Sequence, residues 1–157
     1  MINADANTLR KLVLDSNVWL DLLVFDDVAI YALKMAMINR QVAVWMDSRC
    51  YAELVQVLDY PQFAACDKAQ ALSWVRTHSY FCDQLSATEF VPTLPICTDH
   101  DDQKFIELVY HCQAQFLITK DKALLKLSRQ MQRQFGIAVL KPDVFCTTIL
   151  PRMIDKK

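Results

Sequence analysis

The sequence predicts an α/β protein, a three-layer α/β/α sandwich around a central parallel sheet. Short apolar runs of strand length recur along the chain, and segments with helical apolar spacing separate them. Runs that do not alternate with polar residues suit strands buried on both faces, and helical crossovers between such strands make the sheet parallel. Several runs also end on polar or acidic residues, and in sheets of this kind ligands bind beyond the carboxyl ends of the strands.

The first run is KLVLD at 11–15, ending on Asp15 and followed by Asn17 and a helix. Asp26 and Asp27 read as the loop between the first two helices. A helix is predicted over 28–40, with Ile30, Leu33, Met37 and Ile38 on one face. VAVWM at 42–46 is the second strand, and helices follow at about 48–58 and 67–79. EFVP at 89–92 is predicted as a third strand. The helix at 102–113 carries Phe105, Ile106, Leu108, Val109 and Cys112 as its apolar stripe. QFLIT at 115–119 and IAVLK at 137–141 are the last two strands, flanking a helix over 122–134. Pro61, Pro92, Pro95, Pro142 and Pro151 fall where these patterns have stopped, as turn or first helical positions.

With 157 residues and 54% hydrophobic content, residues 1–157 are expected to form one domain around its own core. No apolar run approaches the roughly 18 residues a spanning helix needs, and MINADANTLRKLVLD has no apolar leader core, so the expectation is a soluble cytoplasmic protein with no membrane partner. The six cysteines read as reduced thiols. They form no C-x-x-C pair, and the three histidines lack zinc-site spacing. Trp19, Trp45 and Trp74 read as core. Gly136 is the only glycine. A Rossmann turn or a P-loop needs several, which excludes nucleotide-cofactor enzymes of those kinds.

TDHDDQKF at 98–105 places three aspartates within four positions. Carboxylates this close raise one another's pKa unless a cation, donor groups or water compensates. Asp15 ends the first strand, Glu53 lies on the helix after the second, Asp102 begins its helix, and Asp121 follows the fourth strand. In a parallel sheet these positions converge on one edge. Hard oxygen donors in such a cluster suit Mg²⁺ or Mn²⁺, and the chemistry that follows is phosphodiester hydrolysis. Asp99 and Asp101 read as cap and first-turn charges, although a shifted register would make Asp101 the ligand in place of Asp102.

Residues 1–119 hold 8 Lys+Arg against 15 Asp+Glu, whereas residues 120–157 hold 9 against 3. A basic C-terminal quarter beside an acidic remainder is compatible with a polyanionic ligand. Lys122, Lys126, Arg129 and Arg133 recur at spacings of four, three and four, which aligns them on one face of the 122–134 helix. They serve either as a solvated surface or as contacts to an RNA backbone.

Five segments in order resemble the PIN-domain ribonucleases, closest to the bacterial branch of toxins from toxin-antitoxin pairs. LVLDSNVWLDLL is similar to the family's opening strand and D-[ST]-N-V signature, and DSRCYAELVQVLDYPQF to its S-x(n)-E-L-x-x-V-L segment. TDHDDQKFIELV resembles D-P-D-D-x-x-F, FLITKDKALL resembles [LI]-[VI]-T-G-D-x-x-L-L, and FGIAVLKPDVF resembles G-I-x-[IV]-x-x-P-x-x-F. The resemblance implies a metal-dependent endoribonuclease with Asp15 as the central ligand and Asn17 near the scissile phosphate. Glu53 would bind the ion directly or through water, Asp102 would complete its shell, and Asp121, oriented by Thr119, would hold a second ion or the attacking water. It further implies an RNA substrate, a homodimer and a cognate antitoxin.

The chain departs from the pattern twice: His100 replaces the usual proline, and Lys120 stands where glycine precedes the last aspartate. Lys120 would contact substrate phosphate or displace a second metal. Two other readings compete. One is a PIN-like module that binds RNA or protein without turnover. The other is a phosphohydrolase of the haloacid dehalogenase type, which needs a second aspartate where Asn17 stands.

Overall fold

The computed structural model describes residues 8–82 and 92–155. Its sheet has five strands in the order β3-β2-β1-β4-β5, all parallel: β1 Arg10–Leu14, β2 Val42–Met46, β3 Tyr80–Phe81, β4 Phe116–Ile118 and β5 Ala138–Leu140. Successive side chains of a strand point to opposite faces. Leu12, Val13 and Leu14 in β1 and Val42, Ala43 and Val44 in β2 are all buried, so both faces of the sheet are covered. Burying a leucine such as Leu12 fully stabilises the fold by roughly 1.5–3 kcal/mol. This is the predicted α/β/α sandwich.

The helices are α1 Ser16–Leu23, α2 Tyr31–Ile38, α3 Ser48–Leu58, α4 Lys68–His78, α5 Gln103–His111, α6 Lys122–Leu125 and α7 Ser128–Phe135. The chain closes with α8 Pro142–Val144, a π-helical turn Phe145–Ile149 and α9 Leu150–Ile154. Helix α1 carries Trp19 into the core, where it is 2% exposed. Pro142 occupies a first-turn helical position, where a missing N–H costs nothing, and Pro151 comes just after the π-helical turn.

Four differences from the sequence reading have local causes. The third described strand is Tyr80–Phe81, held by pairing to β2 and by stacking of Tyr80 on Trp45 at 5.5 Å. Of the predicted 89–92 strand, 89–91 lie outside the described residues and Pro92 is in no strand. The 28–40 helix opens as a 3₁₀ turn, Val28–Ile30, capped by Asp27, and Ile38 faces outward at 42% exposure while Ile30, Leu33 and Met37 are buried. The 122–134 helix is two helices, because the backbone departs from α-helical continuity at Lys126 and Leu127. Helix α7 ends on Gly136 in the left-handed conformation, φ +67°.

Candidate active site

Each parallel strand delivers the chain to the same edge of the sheet, where the next helix begins with unpaired backbone N–H groups. Aspartate is a preferred cap there, because its oxygen accepts one of those donors and its charge complements the helix N-terminus. Asp15 accepts from Val18 N–H at 2.9 Å and starts α1. Asp121 accepts from Ala123 N–H at 2.7 Å and starts α6. Asp99 accepts from Asp101 N–H at 3.0 Å and starts the 3₁₀ turn His100–Asp102 that leads into α5. Capping chemistry thus brings the acids to one rim.

Thr119, fully buried, links two of them. Its hydroxyl donates to Asp15 Oδ2 and accepts from Asp121 N–H at 2.9 Å. Asp15 is itself buried, and burial pushes its pKa up, opposed by the Thr119 hydroxyl and the Val18 and Lys120 N–H groups; the Asp121 charge raises it further. Carboxylate oxygens of Asp99, Asp102 and Asp121 all lie within 4.8 Å of one another. Asp102 Oδ2 is buried and meets no hydrogen-bond donor. The Asp102 pKa is pushed up to about 7, first by burial, then by the Asp121 charge and a hydrogen bond with that group, and then by Asp99 and Glu53.

Glu53 reaches the same rim from α3 and has both oxygens engaged. Oε2 accepts from the hydroxyl of Ser16, the residue after Asp15, and Oε1 accepts from Lys104 Nζ at 2.9 Å. Lys104 Nζ also donates to the backbone carbonyl of Asp101.

The structure therefore brings Asp15, Glu53, Asp102, Asp121 and Thr119 to one edge, with Asp102 and Asp121 inside the close carboxylate group, Asp15 and Glu53 beside it but outside it, and Asp101 exposed. Asn17 is exposed on the first turn of α1. Lys120 turns to the buried Asp21, Nζ to Oδ2 at 2.6 Å. Arg129 and Arg133 line a groove of about 360 Å³ between α7 and the edge strand β5. Lys122 and Lys126 are exposed on the separate α6 turn. Because α6 and α7 are distinct, the four do not share one continuous helix face.

Sequence reasoning gave Asp99 a cap only, yet it both caps and joins the carboxylate group. Ser16 lies inside the D-[ST]-N-V match, but neither its contact with Glu53 nor that of Lys104 leaves a trace in the chain, because Glu53 is 37 and 51 positions away.

The donor set fits a hard divalent cation. It is all carboxylate oxygen, it brings three acids within mutual reach, and it contains a buried oxygen with no donor, whose charge a cation would balance. A family model described as PIN domain matches residues 11–123 of the chain. No curated protein matches it at the level of similarity required.

Proposed function

This chain belongs to the PIN-domain family, a family of nucleases, and from that premise we propose that it is an endoribonuclease dependent on Mg²⁺ or Mn²⁺. The observation that carries the reading is the Asp99, Asp102 and Asp121 group with its unpartnered Asp102 oxygen, set beside buried Asp15 at the carboxyl edge of the sheet. Asp99, Asp102 and Asp121 would hold the ion, with Asp15 completing the set. When bound, the ion supplies a water of lowered pKa and offsets charge on the phosphate.

The chain's own residues orient that chemistry. Thr119 fixes the Asp15 carboxylate and the Asp121 backbone together, so the acids that flank the ion keep one spacing. Asn17, exposed on the first turn of α1, would donate its amide to a substrate phosphate. Lys122 and Lys126, in and just after α6, and Arg129 and Arg133, in the groove between α7 and β5, would contact an RNA backbone without reading its bases. Lys120 joins those contacts only by releasing Asp21. In this reading the protein is the toxic member of a toxin-antitoxin pair. It acts as a homodimer, and its antitoxin covers the acidic rim.

Purified protein is expected to cleave single-stranded RNA with Mg²⁺ or Mn²⁺, to stop in EDTA, and to lose activity on Asp15→Asn. Equal cleavage by the wild type and Asp15→Asn ends the proposal. RNA binding that persists in EDTA, with no cleavage under any metal, selects the non-catalytic module instead.

A further inference from the structure

Two-ion phosphodiesterases place their metals roughly 3.5–4 Å apart, which requires a second group of free carboxylate oxygens beside the first. Asp121, which the resemblance offered for a second ion, sits with Asp99 and Asp102, so beyond that group and Asp15 the predicted acid left at the rim for a second group is Glu53. Its Oε1 is held by Lys104 Nζ at 2.9 Å, and its Oε2 by the Ser16 hydroxyl. The pair is mostly out of solvent, with side-chain exposure of 16% for Lys104 and 26% for Glu53. The Lys104 ammonium is anchored from a second side by the Asp101 carbonyl, directly before Asp102, and Nζ also lies over the Phe105 ring, 5.2 Å from its centroid. It is therefore a fixed cation between Glu53 and the Asp102 segment.

We propose that Lys104 fills the place of the second metal, so that the site takes one divalent ion, on Asp99, Asp102 and Asp121, and a built-in ammonium on Glu53. This rests on the metal-site reading above and refines it. A divalent ion that used Glu53 would have to break a largely desolvated ion pair and leave an ammonium uncompensated, which is costly. The ammonium also supplies a positive charge at the rim without any dependence on metal concentration, so it acts as a positioning and charge-balancing residue.

The experiment counts ions, not turnover. Mn²⁺ is titrated into the full metal-free chain by calorimetry, with electron paramagnetic resonance to detect spin-coupled pairs. The wild type binds one ion per chain and shows no coupled pair. Lys104→Met, which keeps the apolar stem, gains a second ion, with second-site affinity raised roughly tenfold or more, about 1.4 kcal/mol. Lys104→Arg keeps a single ion, and Glu53→Gln keeps the wild-type ion because Glu53 is not its ligand. Two ions in the wild type overturn the inference, as does one ion in folded Lys104→Met. If Lys104→Met fails to fold, loss of the single ion on Glu53→Gln overturns it and retention supports it. No Mn²⁺ bound by the wild type at millimolar concentration is a different failure: it removes the metal site itself.

Discussion

Asp15 and Asp47 stand at the carboxyl ends of neighbouring parallel strands, both are buried, and both cap the helix that follows, Asp15 on Val18 N–H and Asp47 on Cys50 N–H, each at 2.9 Å. They differ in what their other oxygen meets. Asp47 Oδ2 pairs with Arg49 at 3.1 Å, and Arg49 goes on to Glu107 of α5 at 3.2 Å. Asp15 Oδ2 meets a neutral hydroxyl, Thr119, and among the described residues it forms no salt bridge. A strand-end aspartate is therefore a helix cap by default. It becomes available for chemistry when its charge is left without an internal cation and other carboxylates gather beside it.

The sharpest way to break this comparison is to neutralise each aspartate in turn. Asparagine caps a helix about as well as aspartate, so both variants should fold. Asp15→Asn is expected to reduce RNA cleavage at least ~100-fold, beyond the 10–100-fold typical of losing an outer-shell partner. Asp47→Asn should leave cleavage within about threefold, a difference under 1 kcal/mol, while lowering stability because Arg49 loses one of its two carboxylates. Single-turnover rates beside urea melts separate the two effects. Equal loss of activity in both variants would mean that the Arg49 pairing does not separate a cap from a catalytic acid.

Next in size is the hydroxyl that distinguishes Asp15. Thr119→Val preserves shape but leaves Asp15 Oδ2 and the Asp121 N–H without their shared partner. A loss of roughly 10–100-fold in activity is expected, as for other groups that orient a ligand, with about 1–3 kcal/mol of stability from the unsatisfied buried groups. Serine should restore most of both, which a purely apolar packing role would not allow.

The pH dependence sharpens the comparison through Asp102. Its pKa in the fold, about 7, lies above the ordinary value of 3.8, so the fold favours its protonated form. Stability from this group is fully present below the unfolded value and is lost as pH rises through about 7, because over that window the folded state holds more protons than the unfolded one. Metal-free protein should therefore melt at a lower temperature at pH 8 than at pH 5. Asp102→Asn should flatten that slope, and Mn²⁺ should stabilise the wild type more at pH 8, where it need not displace a proton. Melting curves in EDTA and in Mn²⁺ across pH 4–8 test all three.

The two strand-end aspartates also show what could be read from the chain and what could not. Apolar runs placed β1, β2, β4 and β5 to within a few residues, because a buried parallel strand leaves an uninterrupted signature. Tyr80–Phe81 left none, since a two-residue strand is set by its pairing to β2 and not by its own composition. Asp15 and Asp121 stood out because they follow β1 and β4, and parallel topology sends those strand ends to one edge, whereas Glu53, inside a helix, was singled out only by the family pattern. Their cations were not legible. Lys104 meets Glu53 across 51 positions, Arg49 meets Glu107 across 58, and Lys120 abandons the rim for Asp21, and none of these pairings leaves a periodic trace. The difference between a cap and a site lies in those long-range pairings.

The smallest expected effect is a control from outside the rim. Gly136 ends α7 just before β5 begins, whereas the acids gather where the strands end, so it belongs to the opposite edge of the sheet. Its φ of +67° is left-handed, and an added Cβ would meet nothing within 4 Å, so the whole penalty of Gly136→Ala is conformational. That penalty is about 1–2 kcal/mol, partly offset because alanine also restricts the unfolded chain. The variant should melt a few degrees lower yet bind Mn²⁺ with wild-type affinity and cleave RNA at the wild-type rate. If metal affinity fell with this remote change, general loosening of the fold would explain the losses at Asp15 and Thr119 as readily as local charge does, and the contrast between Asp15 and Asp47 would lose its force.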